Sequence, residues 1–287
     1  MAEMKYHQKD DAFLIITDME GTSGLIDRRL LHTGGKFWEN YGRYLLTEDV
    51  NVVAHALYSK GIRRIYLSEN HNLGRNVVPG ELLPFIALLP PHSANTNMWG
   101  TDFWDELYRG KGIKGAILLG FPGMAGSGGY LSHSWDNNVF EHIEVNGLEC
   151  GGIGTTAFLL GEYDIPVVAV IGDAAAAEEA KKTIPNVTAI MVKETEDKDW
   201  IKALPPDKAH ELILNGILEA LDEPINVSPL KAPRPTVIRF RVKKTEYLKA
   251  IDISGVEIKG NAAIIRAPNY IKAYDLFWNC YMKMLFT

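Results

Sequence analysis

The chain has 287 residues, 46% of them apolar, enough for one large or two modest cores. A formal charge of -6, with Lys and Arg scattered, leaves no basic footprint for nucleic acid or an anionic membrane. Two cysteines, Cys150 and Cys280, cannot build a disulfide framework and fit a reducing cytoplasm. The polar stretch Met1–Asp11 is unlike a signal peptide, and no apolar run is long enough to span a bilayer. The expectation is a cytoplasmic protein with neither a nucleic-acid nor a membrane partner.

In chain order, Phe13–Ile16 reads as a buried strand running into Thr17-Asp18-Met19-Glu20-Gly21-Thr22-Ser23-Gly24. Asp18 and Glu20, one residue apart at a strand end, point the same way because side chains alternate with period two. Phe37–Lys60 predicts a helix, with Thr47-Glu48-Asp49 as a candidate internal start. Arg64–Leu67 predicts a second strand, leading through Ser68-Glu69-Asn70 to His71. If these strands are parallel neighbours, both carboxyl ends open on the sheet edge where α/β folds bind ligands. Asp18, Glu20 and His71 would then form a partial divalent-metal site. Each residue alone is a weak signal, since carboxylates cap turns and single histidines usually hydrogen-bond at surfaces. The reading rests on all three together.

A helix is expected over Thr101–Arg109 and a strand over Ala116–Gly120. Next comes the glycine-rich run Gly120–Gly129, then Tyr130-Leu131-Ser132-His133-Ser134. Such a loop can present backbone N–H groups to an anion or oxyanion. It lacks the Lys-Ser/Thr ending of a P-loop and does not fit the dinucleotide fingerprint. His133 is a candidate general acid or base beside a metal, or else a histidine fixed structurally by its flanking serines. His142–Leu148 alternates polar and apolar residues around Asn146-Gly147, which predicts a hairpin. Cys150, before a helix over Thr155–Tyr163, is either a nucleophile or, as favoured, a small buried apolar residue. Strands over Pro166–Ile171 and Val187–Val192 and helices over Ala174–Thr183 and Pro206–Leu221 continue the alternation. The fold class is α/β, a mostly parallel sheet flanked by helices.

The proline-rich run Ser228–Pro235 reads as a linker. It divides an α/β catalytic-type domain, 1–228, from a small α+β domain, 229–287, expected to contribute to assembly. The latter should hold a strand (Thr236–Val242), a helix (Lys244–Ile251), a strand pair (Glu257–Ala267) and a helix (Tyr270–Met284). The last helix places Tyr274, Phe277, Trp278, Tyr281 and Met282 at helical spacing, favouring core packing over an aromatic subunit interface.

The Thr17–Gly24 block, the His71 block, Leu131-Ser132-His133-Ser134 and the stretches Tyr163–Val167, Gly172-Asp173 and Ile184–Thr188 resemble the DppA-type D-aminopeptidases, a zinc peptidase family. The resemblance implies a two-zinc aminopeptidase that releases N-terminal D-residues from short peptides and forms a ring-like homo-oligomer, with a decamer as one form. By motif, Asp18, Glu20 and His71 match metal ligands and His133 the catalytic histidine. Two further ligands of the pattern are missing, because Pro122 and Gly152 stand where a histidine and a glutamate are expected. Both losses fall on the second metal, so one zinc per chain is expected, or two if another residue substitutes. Glu149, Cys150, Asp136 and His142 are near enough in sequence to be considered.

The leading expectation is therefore a metal-dependent peptide or amide hydrolase with Asp18, Glu20 and His71 on the metal and His133 moving the proton. Gly123, Ser132 and Ser134 are the candidate substrate-binding positions. The alternatives are a non-catalytic homologue that binds a small peptide or serves as a scaffold, and metal-free hydrolysis through Cys150 or His133.

Overall fold

The computed structural model describes residues 11–72, 74–90, 108, 112–197, 200–222 and 226–285. The helix expected over Thr101–Arg109 lies outside these, apart from Tyr108. Seven strands form the first sheet: β1 (Ala12–Thr17), β2 (Arg64–Glu69), β3 (Ile86–Leu88), β4 (Ile113–Phe121), β7 (Val167–Asp173), β8 (Thr188–Asp197) and β9 (Trp200–Ala203). Their order is β3-β2-β1-β4-β7-β8-β9, parallel except for β9. All six residues of β1 are buried, as expected of a parallel strand covered on both faces.

Alternation splits those residues between two layers. Phe13 and Ile15 face a core shared with Val50, Val53 and Leu57 of α1 (Arg43–Ser59) and Ile213 and Ile217 of α4 (Pro206–Ala220). Leu14 and Ile16 face the other core, with Ile153 and Leu160 of α2 (Gly152–Glu162) and Ala176 and Ala180 of α3 (Ala174–Thr183). A wide helical turn, Trp38–Gly42, leads into α1. The helix does not restart at Thr47-Glu48-Asp49, because Asp49 is buried inside α1 and accepts from Ser23.

A second, antiparallel sheet has the order β11-β12-β10-β5-β6. It joins β5 (Phe140–Val145) and β6 (Leu148–Glu149), the expected hairpin, to β10 (Thr236–Val242), β11 (Val256–Lys259) and β12 (Ala262–Ala267). The Asn146-Gly147 turn carries φ of 49° and 83°, the positive values that a two-residue hairpin turn requires. The hairpin thus lies before the 228/229 boundary and pairs with a strand from beyond it. The segment at 228–235 is irregular, as its prolines demand. The helix expected over Lys244–Ile251 is a 3-10 helix, Thr245–Ala250. Finally α5 (Tyr270–Leu285) buries Tyr274, Phe277 and Trp278 within the chain, as the core-packing reading expects.

Candidate metal centre and active site

β1 is flanked by β2 on one side and β4 on the other, so the chain crosses in opposite directions from the centre of the sheet. Ligand crevices open at the carboxyl ends of strands at such a switch point. Thr17 pairs with Glu69, and Asn70 N donates to Thr17 O at 2.8 Å, which brings the turn after β1 beside the turn that carries His71. Loops from β1 and β4 cross here almost in contact: Gly21 N donates to Gly120 O at 2.7 Å. A Cβ on Gly21 would fall 2.4 Å from Phe121 O, so only glycine permits the crossing. Ser23 then anchors the loop to α1, its N and Oγ donating to Asp49 at 2.8 and 2.5 Å.

Asp18, Glu20 and His71 come together as the sequence predicts, their ligand atoms all within 4.8 Å of one another. His71 Nδ1 lies 3.0 Å from Asp18 Oδ1 and 3.3 Å from Glu20 Oε2. Burial and the Glu20 carboxylate push Asp18 up to about 6. Burial opposes charge on Glu20 and His71 as well, yet their mutual attraction outweighs it. Glu20 is held below the usual carboxylate range and His71 well above that of a free imidazole. Two carboxylates and an imidazole suit a zinc-like divalent ion. Apart from its 3.3 Å approach to His71 Nδ1, the buried Glu20 Oε2 has no hydrogen-bond partner among the described residues. A proton and a metal ion would compete for His71 Nδ1.

His133 belongs to the same cavity, of about 490 Å³. Its Nδ1 lies 2.8 Å from Leu131 O, and since a carbonyl only accepts, Nδ1 carries the proton in the neutral ring. The lone pair is then on Nε2. Ser132 also lines the cavity. Gly123 and Ser134 are not among its lining residues and hold the loop instead. Gly123 O accepts from His133 N at 3.0 Å, and Ser134 Oγ accepts from Ala125 N at 3.1 Å.

Pro122 and Gly152 both line the cavity, and neither offers a donor atom to a metal. Of the substitutes considered, Asp136 lines the cavity but accepts from Tyr281 OH at 2.9 Å and from Asn138 N at 2.8 Å. His142 pairs with Glu149 at 2.8 Å on the second sheet. Cys150 is fully buried, and burial together with Glu179 and other nearby carboxylates pushes its thiol far up, the opposite of an activated nucleophile. Among the described residues the ligand cluster is therefore Asp18, Glu20 and His71.

Sequence reasoning missed Asn72, whose Nδ2 lies 2.9 Å from His71 Nε2, and Trp135, which lines the cavity wall. β1 ends at Thr17, so Asp18 and Glu20 lie in the turn beyond it and not in the strand alternation expected of them; Asn72 and Trp135 also sit in turns, at positive φ (46° and 65°), where no periodicity points to them.

Fold and site together define an α/β protein with a candidate metal-ligand cluster and a histidine in one cavity. The model of a family described as D-aminopeptidase matches residues 12–278. The chain is 30% identical over 261 residues to the D-aminopeptidase of Bacillus subtilis (strain 168), covering 90% of this chain and 92% of that protein. The chain belongs to the D-aminopeptidase family. Its fold matches the solved Zn-dependent D-aminopeptidase DppA from Bacillus subtilis, described as a self-compartmentalizing protease. The TM-score is 0.86 at 27% identity, over 96% of this chain and 98% of that one.

Proposed function

We propose that this chain is a zinc-dependent aminopeptidase, or a closely related amide hydrolase, acting on short peptides with one metal per chain. The observation that carries the reading is the convergence of Asp18, Glu20 and His71 in a cavity shared with His133. Family membership and the relative described as Zn-dependent support the choice of zinc and of peptide hydrolysis.

Asp18, Glu20 and His71 would hold the ion, and three protein ligands leave one position open, as in catalytic zinc sites. Zinc bound there would supply Lewis-acid polarisation of the scissile carbonyl and a lowered pKa for water. The absence of donor atoms at Pro122 and Gly152 supports one metal rather than two. His133, oriented through Nδ1–H on Leu131 O, uses Nε2 to take a proton from the attacking water and pass it to the leaving amine. Ser132 contacts substrate, while Gly123 and Ser134 act by fixing the loop that carries His133.

A homo-oligomer is part of the proposal. The structural relative is described as self-compartmentalizing, and this chain exposes Ile26, Phe37, Tyr41 and Tyr44 around one shallow depression. The unpaired thiols of Cys150 and Cys280 support a reducing, cytoplasmic location.

The test is hydrolysis of a panel of short D- and L-peptides before and after chelation. Activity should vanish on metal removal and return with zinc. Hydrolysis that persists in metal-free protein would overturn the reading.

A further inference from the structure

The cavity is lined by two chemically distinct sets of residues. One is polar, formed by Asp18, Glu20, His71 and His133. The other is apolar and comes from elements outside the ligand loops: Phe121 at the end of β4, Leu159 and Leu160 on α2, Tyr274 on α5, and Trp135. On α2 the lining positions 152, 156, 159 and 160 follow helical spacing, so one stripe of the helix faces the cavity. That stripe begins at Gly152. A Cβ built there meets only the Phe121 ring, at 3.4 and 3.5 Å, which is ordinary contact. Anything longer would extend from that contact toward the apolar set.

Trp135 is held firmly on the wall. Its φ of 65° is costly for a bulky residue and persists only where the surroundings over-determine it. Nε1 donates to Thr155 Oγ1 at 3.0 Å, and the indole packs against Phe277 at 4.8 Å and Tyr274 at 5.6 Å between centroids. A fixed aromatic wall beside a polar reaction centre is how a small-molecule site selects an apolar group while orienting the polar one.

We propose that the Gly152–Phe121–Trp135 lining of the cavity is a specificity subsite for a large apolar side chain of the substrate, aromatic before aliphatic, with Gly152 setting its width. This rests on the hydrolase reading for the identity of the group that reacts, but the subsite can be tested without turnover. Phenylalaninol and alaninol, in both enantiomers, carry the amine and side chain without a scissile amide. Calorimetry on the zinc-supplemented full chain should find one phenylalaninol enantiomer bound about ten-fold or more tightly than the matching alaninol. Phe-Ala should exceed Ala-Ala in kcat/KM by a similar factor. Gly152→Leu should remove the preference in both measurements with its unfolding midpoint kept, and Trp135→Ala should reduce it.

Equal affinities in the unaltered protein, or a Gly152→Leu variant that weakens both probes equally, would overturn the subsite. A binding preference without turnover of any peptide would uphold the subsite and defeat the hydrolase reading. Turnover with no side-chain preference would do the reverse.

Discussion

At the residue scale, His71 is one of the three proposed metal ligands, and Asn72 is the residue placed to fix its ring. Asn72 Nδ2 stands 2.9 Å from His71 Nε2 and 3.2 Å from Thr33 Oγ1. Coordination through Nδ1 puts the ring proton on Nε2. The Asn72 amide must then turn over, so that Oδ1 accepts from Nε2–H and from the Thr33 hydroxyl. Such partners fix tautomer and ring orientation, and their loss costs about 10–100-fold in metal affinity. Asn72→Ala should therefore weaken zinc binding by about that factor in a chelator competition, with the fold intact. Unchanged affinity would remove Asn72 from the site. The ligands themselves were legible in the sequence because they directly follow two apolar strand runs, although β1 ends at Thr17 and the turn beyond it, not strand alternation, brings Asp18 and Glu20 together. Asn72 was not, since its contact depends on a turn conformation that no periodicity encodes.

At the scale of elements, Glu179 ties together the parts that shape the cavity. From α3 its Oε1 accepts from Gly151 N at 2.7 Å and Gly154 N at 3.3 Å, serving as the side-chain cap that α2 lacks at its own N-terminus. Burial pushes this carboxyl up to about 7 against the pull of those amides. Because the folded value lies above the unfolded one, the folded chain binds more protons between pH of about 4.5 and about 7. The contribution of Glu179 to stability is full below that window and is lost as pH rises through it. Denaturant unfolding of the unaltered protein and Glu179→Gln should show a stability difference that shifts against the unaltered protein from pH ~5 to pH ~8. A difference independent of pH would contradict the assignment. The elements themselves were readable where apolar periodicity was strong, as in β1, α3 and α5. Two strands were not foreseen, β3 and β9, which are short and lie at the sheet edges, where burial leaves little pattern. Nor does sequence order reveal that the β5–β6 hairpin joins β10 through β5, since that contact is non-local.

At the scale of the whole molecule, the two sheets meet across one core, and the cavity draws on both halves. Asp18, Glu20 and His71 come from the first sheet, while Tyr274 and Tyr281 come from the helix that follows the second. Tyr281 OH donates to Asp136 Oδ2 at 2.9 Å, tying α5 to the loop that carries His133 and Trp135. The site is therefore a property of the whole chain and should not survive removal of the C-terminal strands. Light scattering should give a mass that is a multiple of the single chain, in keeping with the proposed homo-oligomer. A monomer at micromolar concentration would contradict that part of the proposal.

Asp18, Glu20 and His71 are proposed to hold one catalytic metal ion. The measurement that tests it most directly is metal content per chain, by elemental analysis of protein purified without chelator or added metal, beside Asp18→Ala. About one zinc per chain is expected, lost in the variant. No metal, and no uptake of zinc, manganese or cobalt on addition, would contradict it.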